Sequence, residues 1–129
     1  VSWSPSIYRF ADGGDIPVPP DPAVVRDALG PYAIVEPSDD EYWVRAEDGS
    51  EAEFFVGEYG VTVERPQVGG VFDLVAELAT RLGAVVVGPG DRVVCRTREE
   101  AAHLPESLRD GAIIIEMAGP ALQTALTGA

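Results

Sequence analysis

The chain has 129 residues, with 22 acidic and nine basic side chains and a formal net charge of −13. Phosphate backbones are bound through clustered Lys and Arg, so a charge of this sign excludes nucleic acid from the expected partners. The one cysteine excludes an internal disulfide, and no run of about 18 apolar residues is present to span a membrane.

A chain of this length buries roughly 68% of the surface it exposes when unfolded, so one domain with a proper core is expected. All nine basic residues are arginine, and lysine and asparagine are absent, as a GC-rich coding sequence would produce. Val1-Ser2-Trp3-Ser4-Pro5 carries no basic or apolar leader pattern. A reducing cytoplasm is the expected location for a fold without disulfides. The charge is uneven. Residues 1–65 hold four Arg and 14 acids (4 − 14 = −10), and residues 66–129 hold five Arg and eight acids (5 − 8 = −3).

Ile7-Tyr8-Arg9-Phe10 predicts a short strand, followed by a Gly- and Pro-rich loop from Asp12 to Pro20. Pro17-Val18-Pro19-Pro20 has P-x-x-P spacing but reads as a rigid connection. Asp21-Pro22 predicts a helix start, because Asp caps and Pro fits the first helical position. Val24, Val25, Ala28 and Leu29 form its apolar stripe, and Gly30-Pro31 is expected to end it. Tyr32 to Val35 is expected to be a second strand. The turn Pro37-Ser38-Asp39-Asp40 leads into a three-stranded meander of Tyr42 to Ala46, Ala52 to Val56 and Val61 to Glu64. Its turns are Glu47-Asp48-Gly49-Ser50 and Gly57-Glu58-Tyr59-Gly60.

Register follows from charge. Tyr42, Val44 and Ala46 share one strand face, opposite Trp43 and Arg45. Phe54 and Val56 share another, opposite Glu51, Glu53 and Phe55. Burying the uncharged sets together requires paired residue numbers with an even sum, because a slip of one residue swaps the faces. The loop is therefore expected to have three or five residues, with a bulge at Gly49.

Val71 to Leu82 predicts the main helix. Val71, Val75, Leu78 and Leu82 line one stripe, with Phe72, Ala76 and Ala79 beside it and Asp73, Glu77, Thr80 and Arg81 opposite. Gly83 ends it. Ala84 to Val87 and Arg92 to Arg96 form a hairpin around Gly88-Pro89-Gly90-Asp91. That turn is no dinucleotide fingerprint: a strand follows it, Pro89 removes a donor, and Asp91 repels phosphate. Thr97-Arg98-Glu99-Glu100 has a capping-box pattern, opening a short helix that Leu104-Pro105 interrupts. Ala112 to Glu116 is the last strand, and Gly119-Pro120 precedes a short tail, residues 121–129, expected to be helical or frayed. The order β-α-β-β-β-β-α-β-β-α-β describes a single α+β domain over residues 1–129. A mostly antiparallel sheet is expected, with two main helices packed on one face.

The chemistry is limited. His103 and Cys95 are each the only residue of their kind, so multi-histidine and cysteine-rich zinc sites are excluded. No G-x-S-x-G motif supports a serine nucleophile. Asp39, Asp40 and Glu41, and then Glu47, Asp48, Glu51 and Glu53, are clustered, but their spacing matches no EF-hand loop. No metal, cofactor or catalytic residue is assigned, and the chain is not expected to be an enzyme. In the register above, Trp43 and Phe55 share a face with Arg45, Glu51 and Glu53. Aromatics ringed by charge are typical of interfaces, unless a second layer covers them. The candidate binding residues are Asp40, Trp43, Arg45, Glu51, Glu53 and Phe55.

In size, charge and α+β content the chain is similar to the small acidic immunity and antitoxin proteins of bacteria, which cover the basic surfaces of toxins. That similarity implies an interaction domain for a basic protein partner. Two other expectations stand beside it. One is a ligand-binding or catalytic domain with a helix–sheet pocket, using Cys95 and His103 or a carboxylate pair. The other is a homodimer or larger self-assembly through the Trp43 face.

Overall fold

The computed structural model describes residues 4–11, 13–38, 40–88 and 92–127. Trp3, Asp12, Asp39 and the Pro89-Gly90-Asp91 turn lie outside the described residues. The elements in chain order are β1 (Ser6–Tyr8), α1 (Pro22–Leu29), β2 (Glu41–Arg45), β3 (Glu51–Val56), β4 (Val61–Glu64) and α2 (Val71–Leu82). There follow β5 (Val85–Val87), β6 (Val93–Cys95), α3 (Arg98–Ala102), α4 (Glu106–Arg109), β7 (Ala112–Ile114) and α5 (Gly119–Thr127). Among the described residues seven strands form one sheet in the order β2-β3-β4-β1-β5-β6-β7. All neighbours are antiparallel except β6 and β7. The α+β class and the mostly antiparallel sheet are as the sequence predicts.

The register of the first hairpin is the one that charge burial demands. Tyr42 pairs with Phe54, Val44 with Ala52, Trp43 with Glu53 and Arg45 with Glu51. Ala46 N donates to Ser50 O at 2.8 Å, and Gly49 N donates to Ala46 O at 3.0 Å. The loop proper is thus Glu47-Asp48-Gly49. Gly49 has φ 89°, the left-handed geometry that lets a type I turn return to the strand through a bulge.

Tyr32 to Val35 is not a strand, which corrects the expected order. Pro31 suits the start of a helical turn, and Gly30–Tyr32 continue α1 as a single 3₁₀ turn. Only one bridge follows, Ala33 with Val44, together with Ile34 N donating to Trp43 O at 2.9 Å. These contacts cover part of the outer edge of β2.

Three helices rather than two pack on the inner face of the sheet. There Ile7, Tyr42, Val44, Phe54, Val61, Val63, Val86 and Val94 meet α1, α2 and α5 in one core. Residues 121–127, expected as a helical or frayed tail, belong to α5, and Leu122 and Leu126 are buried. Packing α5 beside α2 explains why Leu74 is buried although it stands outside the predicted stripe. Helices α3 and α4 lie on the opposite face. There Leu104 joins Val85, Val93 and Cys95, with Phe10, Ala101, Leu108 and Ala112 around them.

Helix α2 starts without a capping side chain of its own, since Gly70 occupies the cap position. The hairpin supplies the missing acceptors. Asp48 Oδ2 accepts from Gly70 N at 2.7 Å, and Ser50 Oγ accepts from Val71 N at 2.8 Å. Asp48 Oδ1 in turn accepts from Ser50 N at 3.0 Å and Ser50 Oγ at 2.7 Å. A Cβ on Gly69 would fall 2.5 Å from Asp48 Oδ2, so this approach of hairpin and helix requires glycine. Hydrogen bonds from the Ser50 hydroxyl, then from Gly70 N–H and Ser50 N–H, hold the Asp48 carboxyl below its ordinary 3.8.

Three outcomes follow. Leu122→Ala should destabilise the fold by about 2–5 kcal/mol, as core truncations do, measured by chemical denaturation. Ser50→Ala should cost roughly 1–2 kcal/mol by orphaning a buried helix amide. Because the folded pKa of Asp48 is depressed, its contribution is complete above the unfolded value of 3.8 and disappears as pH falls through the folded value. Asp48→Asn should therefore lower the thermal midpoint at neutral pH and lose part of the acid dependence below about pH 4, seen in melts at stepped pH.

Candidate functional site

Strand alternation puts Glu41, Trp43 and Arg45 of β2 on the outer face, with Glu51, Glu53 and Phe55 of β3 and Thr62 and Glu64 of β4. Helices α3 and α4 cover only the β5–β6–β7 half of this face. The meander half has no second layer among the described residues, and Trp43 is 43% exposed. Phe55 is half-buried.

One carboxylate organises the aromatic side. Trp43 Nε1 donates to Glu51 Oε1 at 2.9 Å, across the diagonal of the hairpin. Arg45, directly opposite Glu51, donates through Nε and Nη2 to Glu51 Oε2, both at 3.2 Å. Such diagonal and direct pairs stabilise a hairpin only modestly, but they fix the indole's orientation on an open face. A ring ordered in advance loses less entropy when a partner covers it.

The other carboxylates of this ladder, Glu41, Glu53 and Glu64, have no ion pair among the described residues. Glu53 lies between Trp43 and Glu64 in the cross-strand row, so two like charges stand directly opposite each other. Ser4 Oγ donates to Glu64 Oε2 at 2.9 Å, whereas the carboxylates of Glu41 and Glu53 have no hydrogen bond or ion pair among the described residues. Like charges directly opposite on a ladder destabilise it. A concavity of about 240 Å³ continues the face past Glu41, Trp43, Glu53 and Phe55 to Val35, Glu36 and Ser38. That is below the roughly 300–1,000 Å³ of small-molecule pockets, and it suits an inserted side chain better. Val35 is itself 51% exposed.

Five of the candidate residues, Trp43, Arg45, Glu51, Glu53 and Phe55, come together on this face. Asp40 does not join them. Its parity is that of Tyr42, it precedes β2 at the rim, and its carboxylate accepts from Ser38 Oγ at 3.1 Å. Its backbone instead accepts from Val56 N at 2.8 Å. Glu41 and Glu64 belong to the face but were not among the candidates. Alternation within β2 and β4 would have found them, had the register argument been carried to the third strand. Asp48, although exposed, caps a helix and does not belong to this face.

Cys95 is completely buried beside Leu104. Burial, and secondarily the negative charge of Glu100, push its thiol up to about 11. Such a thiol is protonated at neutral pH. The hollow that borders His103 is lined by Arg9, Phe10, Gly83, Val85, Glu100 and Leu104, without Cys95. Among the described residues no group of three or more His, Cys, Asp or Glu is placed to hold a metal ion. No helix among them is long and apolar enough to cross a membrane.

The fold and this face define an acidic α+β domain whose single sheet is layered on one side and half-layered on the other. No family model matches the chain, and no curated protein or solved structure shows significant similarity to it.

Cys95 should resist alkylation in the native state. At pH 8 a small iodoacetamide-type reagent is expected to label it only in denaturant, read by intact mass. Rapid native labelling would show an access route that this packing lacks.

Proposed function

We propose that the chain is a small binding domain that captures a basic protein partner on the outer face of β2, β3 and β4. One observation carries this reading. An ordered, exposed Trp43 sits among Glu41, Glu53 and Glu64, carboxylates with no cationic partner among the described residues, on the half of the sheet that no described helix covers. Ladder repulsion between Glu53 and Glu64 is relieved when a cation arrives. An arginine or lysine of the partner would stack on the indole and lie between the carboxylates, a contact worth roughly 0.5–2 kcal/mol. The net charge of −13 would speed the encounter and make it sensitive to salt. The activity is occlusion rather than catalysis, in the manner of small acidic immunity and antitoxin proteins. Nucleic acid and membrane are not partners in this reading. Its one thiol, free and buried, suits a reducing cytoplasm.

An arginine-rich peptide, titrated by calorimetry and by amide chemical shifts, tests the site. Shift changes should concentrate on β2–β4. Trp43→Ala, or Glu41→Gln combined with Glu53→Gln, should weaken binding about tenfold. Glu99→Gln combined with Glu106→Gln, the same charge loss on α3 and α4, should change it little. Equal losses from both pairs, or binding unchanged near 1 M salt, where the screening length is about 3 Å, would show diffuse attraction or a different surface.

A further inference from the structure

We infer that the free edge of β7 is a second interface, on which a second copy of this chain pairs antiparallel to build one continuous sheet across a two-fold axis. This rests on observations at the end of the sheet farthest from the Trp43 face, and is independent of the function proposed above.

The first observation is the state of the edge. Gly111 O accepts from Val93 N at 3.2 Å, and Ile115 N donates to Cys95 O at 3.0 Å, so these residues turn their backbone groups toward β6. By alternation Ala112 and Ile114 turn theirs outward, where no partner is present among the described residues. The second is composition. Gly111-Ala112-Ile113-Ile114-Ile115 contains no charge and no proline, the usual guards of an edge strand. Ile114 is 47% exposed, and Ile113 and Ile114 belong to neither core cluster. At the opposite end of the sheet, β2 is guarded by Glu41 and Arg45, and Ala33 and Ile34 occupy part of its edge.

Charge selects the occupant and the register. Residues 66–129 carry only −3 of the total −13, so joining two copies at β7 keeps the acidic meanders at the far ends. Outward groups must pair with outward groups, which leaves few registers. Pairing Ala112 with Ile114 would put Asp110 opposite Glu116, a direct like-charge pair. Pairing Ile114 with Ile114 on the axis instead puts Ile113 opposite Ile115 and Glu116 opposite Ala112. The same patch then serves both copies, and the guarded β2 edges stop further addition, so the assembly closes as a dimer rather than a fibre.

Sedimentation velocity between about 10 μM and 1 mM tests this. A monomer–dimer equilibrium is expected, unchanged by Trp43→Ala and abolished by Ile114→Pro, which removes the donor on the axis. Because Ile114→Pro could also disturb folding, Ile114→Cys gives a second readout. Directly opposed hydrogen-bonded residues have Cα atoms about 5.5 Å apart, within disulfide reach. Ile114→Cys should therefore crosslink to a covalent dimer under mild oxidation. Val68→Cys, at a site 74% exposed elsewhere, should do so much more slowly. A strictly monomeric chain at about 1 mM overturns the proposal. So does a dimer dissolved by Trp43→Ala, or one in which Ile114→Cys crosslinks no faster than Val68→Cys.

Discussion

Asp48 stands at the tip of a surface hairpin, yet its carboxylate fastens the two halves of the molecule together. Through Gly70 N and Ser50 it closes the open amide end of α2. The helix so anchored lies between α1 and α5 and over the inner sheet face. Gln67 Oε1 accepting from Glu51 N, and Gln123 Oε1 accepting from Gly69 N, extend the same junction to β3 and α5. A negative charge at a helix N-terminus also meets the positive end of the helix dipole. The two-glycine approach at Gly69 and Gly70 leaves no room for side chains between hairpin and helix. The meander is thereby tied to the helical layer, with its outer face turned away from it.

What that surface can do depends on unequal coverage. After α2 the chain places α3 and α4 over β5, β6 and β7, and not over the meander. Val85, Val93 and Cys95 consequently face an apolar layer, whereas Trp43, Phe55 and the glutamates at the same level of the sheet face solvent. The apolar half of the sheet and the acidic half are different surfaces of one scaffold. One end offers carboxylates and an oriented indole. The other offers an unguarded backbone edge with branched apolar side chains.

Local chemistry was readable where neighbours in sequence are neighbours in space. Asp21 capping α1 through Ala23 N, and Thr97 capping α3 through Glu100 N, are cases of this kind. The expected capping box is only half formed, because the Glu100 carboxylate accepts from Arg96 N and the Arg96 side chain instead of returning to Thr97. The hairpin register was readable because one face had to shed its charges. Tyr32 to Val35 misled because its β-like residues follow Pro31, whose fixed backbone favours another helical turn. The helix at residues 121–127 was readable but its burial was not, because small and polar neighbours mask Leu122 and Leu126, spaced by four and turned into the core.

The sequence by itself determined the charge and its uneven division, the face shared by Trp43, Arg45, Glu51, Glu53 and Phe55, and the α+β class. Periods of two and of 3.6 residues and turn residues act over a few positions, and they can be counted along a chain. Only the tertiary structure decided that Asp48 caps a helix 22 residues away, that Asp40 leaves the face, and that α3 and α4 stop short of the meander. Those outcomes depend on which distant surfaces meet. Such meetings are set by the packing of whole elements against one another, and no local pattern of residues encodes them.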